Sequence, residues 1–394
     1  MKQQKNGYYG AIAISFMTMS FIGGSNMLLP AVKNSLLEHY EVNLYAIGVL
    51  SMLNSVIGGV VPFFIGGLSD RFGRKILILC GSITLCIYFA IAPQVTVFLA
   101  FCIITLISGV ANKMVDTAGM SILFDVRDNP ASLLPLSQIF FTIGSIITPF
   151  LVSVLIERNY EWKNAYFIFS VTTVIMLICV IITRFPKTLR EKRGKKPIFP
   201  FCRQPTAGKH GAVLLLLTLC NAALYNVIST WADIYMKSVF GYSDGNATKV
   251  FSIIQIGGMI GATCIFFISR KIAAPYIIRI CPLAGTIVLI TAIAINSDKI
   301  FIACMMLIGF FVGTLYSIIV GYAGMLFAHN AGLAAGAMGA AASTGNALSS
   351  YLAGRMCVSL GIRSVFCIII ICGIFSAVFA QIIYIQYRSL MKTV

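Results

Sequence analysis

The chain has 394 residues, of which 59% are hydrophobic and only 10% are charged, and its mean hydropathy is +0.93. A soluble protein of this length could not keep such a surface in water, so the composition predicts an all-α membrane protein. The formal net charge of +17 would suit a nucleic-acid-binding protein, but the charges lie between apolar runs, which excludes that class.

Twelve apolar runs of about 20 residues follow one another along the chain, each long enough to cross roughly 30 Å of hydrocarbon. They lie near 8–30, 44–67, 76–94, 97–121, 133–156, 164–184, 212–236, 248–269, 274–295, 300–327, 331–354 and 364–387. The first run is too long for a signal peptide and lacks a small-residue cleavage site, so we expect a retained helix. The pattern predicts twelve transmembrane helices in two six-helix bundles.

The turn between the second and third runs, residues 66–75, reads Gly-Gly-Leu-Ser-Asp-Arg-Phe-Gly-Arg-Lys. Three cations and a carboxylate cannot lie in hydrocarbon, so we expect a tight turn at the membrane surface. Gly73 permits the bend, and Asp70 lies where it could cap a neighbouring helix end. The residues expected to form this conformational turn are Gly66, Asp70, Arg71, Gly73, Arg74 and Lys75.

The pattern Gly-x-Leu-small-Asp-Arg-x-Gly-Arg-Lys resembles the loop signature of the major facilitator superfamily of transporters. In that family the loop joins transmembrane helices 2 and 3, and here the motif follows the second apolar run with all its positions filled. The resemblance implies a secondary active transporter that works by alternating access, with its site between two six-helix halves.

Span 4 carries two ionisable residues, Lys113 and Asp116, three positions apart and therefore on one helix face. A charge near the bilayer centre costs at least about 2.5–3.5 kcal/mol, which marks both residues as functional candidates. One interpretation is a structural ion pair that specifies packing. The other is that Asp116 binds and releases the coupling proton beside Lys113, which makes H+ the predicted coupling ion.

A narrower resemblance is to the fucose-permease-like branch of the superfamily, whose span 4 carries a coupling carboxylate in an acid-Thr-Ala motif. Residues 116–119, Asp-Thr-Ala-Gly, are similar to it. Residues 25–30, Ser-Asn-Met-Leu-Leu-Pro, resemble a span 1 segment in which Asn26 stands where the branch has a carboxylate. Gln138 in span 5 and the Trp/Tyr segment at 229–235 are also similar to this branch.

Amide, phenol and indole groups within the spans are candidates for contact with a hydroxylated solute. Each could equally make an interhelical hydrogen bond. The predicted substrate-binding residues are Asn26, Gln138, Tyr225, Asn226, Trp231 and Asn346.

The polar, basic segment 186–210 predicts a cytoplasmic linker between an N-terminal bundle, 1–185, and a C-terminal bundle, 211–394. With both termini cytoplasmic, 19 of the 29 Lys and Arg residues fall in or beside cytoplasmic segments and 8 in or beside external ones. This asymmetry predicts the orientation of a multi-pass protein of the inner or plasma membrane. Apart from the lipid bilayer and a small-molecule substrate, no partner is required, and we expect a monomer.

The sequence contains no enzyme motif in the structural setting that the motif requires. The string Gly-Tyr-Ser-Asp-Gly at 241–245 matches G-x-S-x-G, but it lies in a predicted external loop without the strand–turn–helix setting that the motif needs. The three histidines lie in predicted loops, and the twelve cysteines have no metal-ligand spacing. We therefore predict no enzyme activity, no cofactor and no metal site, with transport driven by a gradient.

The leading prediction is proton-coupled uptake, by symport, of a small polar solute such as a sugar. The alternative is proton-coupled efflux of a lipophilic or cationic compound. Drug antiporters of the superfamily carry a Gly/Pro-rich motif in span 5, which Gly144 and Pro149 match only in part. A third possibility is a transporter-like receptor, which would bind a solute without accumulating it.

Overall fold

The computed structural model describes residues 9–126, 133–185, 207–269, 272–326 and 331–393, and within these ranges every regular element is helical. The first six helices are α1 Tyr9–Tyr40, α2 Leu44–Phe72, α3 Arg74–Ile91, α4 Phe98–Val126, α5 Leu133–Glu157 and α6 Lys163–Ile182. A short 3-10 turn, Ala92–Gln94, follows α3.

The remaining helices are α7 Ala207–Phe240, α8 Asp244–Ile268, α9 Ala274–Ala294, α10, α11 Ala331–Leu360 and α12 Ile362–Thr393. Two α-helical segments, Asp298–Ile308 and Leu315–Leu326, form α10 and are joined by a π-helical turn, Gly309–Gly313.

Eleven of these helices are long and apolar enough to cross a membrane, judged by length and composition within the described residues. The twelfth, α11, has 30 residues, but its five Gly and four Ser residues and Asn346 lower its mean hydropathy. The predicted all-α membrane fold with long apolar helices is therefore confirmed.

The helices form two compact units. One contains α1, α3 to α6 and the part of α2 from Val60 onward, and the other contains α2 up to Gly59 together with α7 to α12. Most of the predicted linker lies outside the described residues, but positions 207–210 already belong to α7. The boundaries drawn from the sequence therefore stay a prediction.

In the first unit, α1 and α5 pack with their backbones almost touching. A Cβ atom added to Gly23 or Gly144 would clash with the backbone of the facing helix. Ser145 Oγ donates a hydrogen bond to the Gly23 carbonyl at 3.1 Å across this interface. Small residues permit such an approach in lipid, where apolar burial between helices gives no driving force. This contact fixes the position of α1, which carries Ser25 and Asn26.

The second unit has an aromatic core on α7, α10 and α12. The Tyr235 ring stacks on Phe301 with a centroid distance of 4.7 Å and contacts Phe366 at 4.6 Å. Both contacts involve fully or almost fully buried rings. This core holds the end of α7 near Phe240 against its neighbours.

The first half of α2 belongs to the second unit because it packs closely on α11. A Cβ on Gly48 would come within 2.8 Å of Gly354 Cα, and the Tyr45 and Tyr351 rings meet at 5.8 Å. Backbone contact of this kind requires glycine at both positions, since no side chain fits between the helices.

Candidate functional site

The ion pair predicted in span 4 is present on α4. Lys113 Nζ lies 3.1 Å from Asp116 Oδ2, and the two side chains are 27% and 28% exposed. The pair is therefore shielded on most sides, and about a quarter of each side chain remains exposed. A charged pair in an apolar membrane helix costs free energy. Such pairs are typical of ion pathways and proton relays in membrane proteins.

Next to this pair, Asn112 connects α4 to α1. Its Nδ2 donates a hydrogen bond to Ser25 Oγ at 3.0 Å. Its Oδ1 is buried and has no hydrogen-bond partner among the described residues. A buried acceptor normally finds a donor, so this oxygen is a candidate to accept a hydrogen bond from a solute. Asn112 is not among the substrate-binding residues predicted from the sequence, because an amide beside two charges gives no distinct signal.

The predicted substrate-binding residues of the first unit, Asn26 and Gln138, have exposed side chains. Asn26 is exposed one position after Ser25, and Gln138 is exposed on α5. Neither side chain is taken up by the packing of α1, α4 and α5, so both remain available for a solute.

In the second unit, Tyr225 lies beside the π-helical turn of α10. Its hydroxyl donates a hydrogen bond to Gln255 Oε1 on α8 at 3.2 Å. The ring packs on Gly313, where an added Cβ would come 3.0 Å from a ring carbon. Turns of this π type are frequent at functional sites, because they shift the side chains that follow. Tyr225 and Gln255 thus form a polar pair next to an irregular segment.

Asn226, by contrast, is engaged between helices. Its Nδ2 lies within hydrogen-bond distance of Ser350 Oγ at 2.8 Å, Ser349 Oγ at 3.1 Å and the Asn346 carbonyl at 3.2 Å. The amide has two hydrogens for three acceptors, so its donor capacity is used in holding α7 to α11. Asn346 takes part through its backbone, and its own side chain is half-buried.

Trp231 is fully buried in the core of the second unit, among residues of α7, α8, α10 and α12. In this arrangement its ring contributes to packing and offers no exposed face for a solute. A stacking role of Trp231 thus stays a prediction that requires a different arrangement of α7.

The turn predicted at 66–75 is a one-residue break between two helices. Gly73, with φ +92°, separates α2 from α3, and Arg74 and Lys75 begin α3. Gly66, Asp70 and Arg71 lie in the last turns of α2, where their side chains are outside the described part, so the cap predicted for Asp70 is not described.

Lys75 makes the contact to a neighbouring helix end. Its Nζ donates to the Ile181 carbonyl at 2.8 Å and to the Thr183 carbonyl at 2.9 Å, where α6 ends. A cation at a helix C-terminus satisfies its last carbonyls and is favoured by the helix dipole.

Two buried ionisable residues were not selected from the sequence. Lys33 on α1 and Asp233 on α7 are both fully buried. The apolar run near 8–30 ends before Lys33, whereas α1 continues to Tyr40. Asp233 was quoted only as part of a Trp/Tyr segment. Their burial within apolar helices makes both functional candidates.

A model of the Major Facilitator Superfamily matches residues 14–297, which is well over half of the chain. The chain belongs to the Major Facilitator Superfamily. Membership identifies a multi-pass membrane transporter and not an enzyme. The resemblance of the 66–75 turn to the loop signature of this superfamily is thereby confirmed.

Among curated relatives, the uncharacterized MFS-type transporter YfkL of Bacillus subtilis is 20% identical over 388 residues, covering 95% of this chain and 96% of its own. The inner membrane transport protein YdiN of Escherichia coli is 22% identical over 276 residues, covering 67% of this chain and 63% of its own. The first is named as an MFS-type transporter and the second as an inner membrane transport protein, which agrees with the family assignment.

Three solved structures share the fold. A bacterial homolog of the human lysosomal transporter Spinster has a TM-score of 0.77 at 13% identity, covering 100% of this chain and 99% of its own. The nucleoside transporter NupG has a TM-score of 0.75 at 16% identity, and the match covers 96% of this chain and 99% of its own. The transporter FucP has a TM-score of 0.67 at 14% identity, and the match covers 96% of this chain and 99% of its own. These likenesses support the superfamily fold and do not separate its branches.

Proposed function

We propose that this superfamily transporter takes up a small polar solute together with protons by alternating access. The observation that carries the proposal is the Lys113–Asp116 pair on α4, with its 3.1 Å separation and partial exposure. A carboxylate that exchanges protons must be reachable by them, and it must also gain or lose a stabilising partner during the cycle. Lys113 is that partner.

The polar groups near the pair suit a hydroxylated solute. Asn112 Oδ1 can accept a hydrogen bond from a hydroxyl, and the exposed amides of Asn26 and Gln138 can donate or accept. The Tyr225–Gln255 pair gives the second unit a similar capacity. We include Trp231 and Asn346 as weaker candidates because both take part in packing. One structural neighbour is named as a nucleoside transporter, which agrees with a polar, sugar-containing substrate class.

The experiment is uptake into proteoliposomes, screened across sugars and nucleosides with and without a pH gradient. One proton moving down a gradient of one pH unit can support about tenfold accumulation, since about 1.4 kcal/mol corresponds to a factor of ten. In Asp116→Asn we expect accumulation to collapse to the equilibrium level while exchange between loaded compartments survives. Glu161→Gln is the matched control, because Glu161 is a largely exposed acid of the same unit.

The purely structural interpretation of the pair makes a different prediction. If the pair only specifies packing, the double variant Lys113→Ala with Asp116→Ala should accumulate solute normally, because it leaves no uncompensated charge. Normal accumulation in Asp116→Asn would likewise contradict proton binding by Asp116. Solute accumulated inside inverted vesicles when their lumen is acidified would favour the efflux alternative over uptake, because an antiporter exchanges luminal protons for solute.

We also propose that both termini and the segment 186–210 are cytoplasmic, as the distribution of Lys and Arg indicates. A tag at the C-terminus or within 190–205 should then be accessible only from the cytoplasm. Labelling of either tag from outside intact cells would contradict this orientation.

For the turn at 66–75, we propose that it controls the rate of conformational switching. Asp70→Asn should slow exchange while leaving solute affinity unchanged, because the turn lies at a helix end where α2 meets α3. Weaker affinity with normal exchange would contradict this role.

A further inference from the structure

Two arginines and three tyrosines meet where α9 begins and α12 ends, in the second unit. The Arg279 guanidinium lies 4.4 Å from the Tyr384 ring centroid, and the Arg388 guanidinium lies 5.8 Å from the same ring. The Tyr276 ring contacts Tyr384 at 5.2 Å and Tyr387 at 6.3 Å, both edge-on. Tyr384 is only 8% exposed, so its ring is a fixed platform between two exposed cations.

Within the described residues, neither of the two helices that carry these cations, α9 and α12, contains an acidic side chain. From residue 245 to residue 394 the sequence contains a single acidic side chain, Asp298. Asp298 begins α10, just after the far end of α9. The 21 residues of α9 place that end about 30 Å from its start. The cation–π contacts with Tyr384 orient the guanidinium groups but do not neutralise their charge.

The surroundings place this cluster at the edge of the apolar surface. Ile280, the residue after Arg279, is 60% exposed, and Ile385 on α12 is 57% exposed. Such exposed isoleucines on a membrane-spanning helix face lipid tails. Tyr276, which is 41% exposed, belongs to the residue type that is enriched where tails give way to headgroups.

We propose that Arg279 and Arg388 bind the phosphate of an anionic phospholipid headgroup, with the phenols of Tyr276 and Tyr387 beside it. A guanidinium presents paired N–H donors that match a phosphate, and the buried Tyr384 ring holds two such groups on one surface. The neighbouring isoleucines then contact the acyl chains. With the C-terminus cytoplasmic, this site faces the cytoplasmic leaflet, where anionic lipids attract basic residues.

The test is lipid binding by the full-length chain, purified in detergent and measured by native mass spectrometry. The probes are phosphatidylglycerol, phosphatidylcholine and inorganic phosphate, titrated separately. Wild type should bind phosphatidylglycerol saturably, at least tenfold more tightly than phosphatidylcholine, and should not bind inorganic phosphate. The variant Arg279→Gln with Arg388→Gln should lose at least tenfold in phosphatidylglycerol affinity.

Arg363→Gln is the matched control, because Arg363 is exposed at the opposite end of α12. It should bind phosphatidylglycerol like wild type. If the double Gln variant does not fold, two other measurements test the proposal: the wild-type preference for phosphatidylglycerol over phosphatidylcholine, and the phosphatidylglycerol affinity of the double variant Arg279→Lys with Arg388→Lys. Lysine keeps the positive charge but loses the paired N–H donors, so this variant should bind phosphatidylglycerol more weakly than wild type. Equal affinity for both lipids, an equal loss in Arg363→Gln, or saturable binding of inorganic phosphate would overturn the proposal.

Discussion

Gly144→Ala tests whether the first unit depends on backbone contact between α1 and α5. The methyl carbon would be placed 1.8 Å from the Ser20 carbonyl oxygen, whereas real Cβ atoms essentially never approach within 3.0 Å. The oxygen belongs to the backbone and cannot rotate away, so the helices must separate by about 1.2 Å or more. A gap of 0.5 to 1 Å already removes roughly a quarter to a half of the dispersion energy of each contact.

Overpacking of this kind costs about 1–3 kcal/mol. For a domain of 150–250 residues each kcal/mol lowers the unfolding temperature by roughly 2–4 °C, so we expect a decrease of about 2–12 °C. The assay is thermal unfolding of the detergent-solubilised chain, followed by loss of the monodisperse peak in size-exclusion chromatography. Gly321→Ala is the control, because nothing lies within 4 Å of a Cβ at that exposed position. Equal unfolding temperatures for the two variants would refute the reasoning.

Three further predictions concern polar side chains. Lys75→Met removes the donor to the last carbonyls of α6, so it should destabilise the chain by about 1 kcal/mol. Lys75→Arg keeps a donor and should retain most of the stability. Thermal unfolding of both variants measures the difference. Asn226→Ala should lower the unfolding temperature and leave the apparent KM for uptake nearly unchanged, because the Asn226 amide joins α7 to α11 through hydrogen bonds. A raised KM at normal stability would instead favour contact between Asn226 and the solute. Asp233→Asn should reduce uptake at least tenfold at normal expression, because Asp233 is fully buried in an apolar helix. Asp244→Asn should transport like wild type, because Asp244 pairs with Lys237 at the surface.

Hydropathy predicts where a chain crosses a membrane better than where its helices end. The first apolar run stops at Pro30, yet α1 continues to Tyr40 and contains that proline. Proline is tolerated within membrane helices, where neighbouring groups satisfy the freed carbonyl. The polar residues after Pro30 lower the hydropathy without ending the helix. The predicted run 331–354 lies within α11, a long helix that is less apolar than the eleven membrane-spanning candidates.

The kind of residue does not reveal whether an amide binds a solute or a neighbouring helix. Asn112 and Asn226 carry the same side chain, and each lies within a long apolar helix. One keeps a buried oxygen without a hydrogen-bond partner among the described residues, and the other uses its donors on three acceptors. The difference depends on which residues face them across the bundle. Spacing along one helix does predict the Lys113–Asp116 pair, because both partners lie on α4 and the helical period alone brings them together.

The burial of the ionisable residues argues for a division of roles among them. Lys33 and Asp233 are fully buried, so water can contact them only if the surrounding helices rearrange. Lys113 and Asp116 are about a quarter exposed, so contact with the surroundings needs no such rearrangement. A coupling site must exchange protons with water in at least one state of the cycle, which favours the α4 pair for that role. Residues that change environment only when helices move are better suited to report or stabilise a particular conformation.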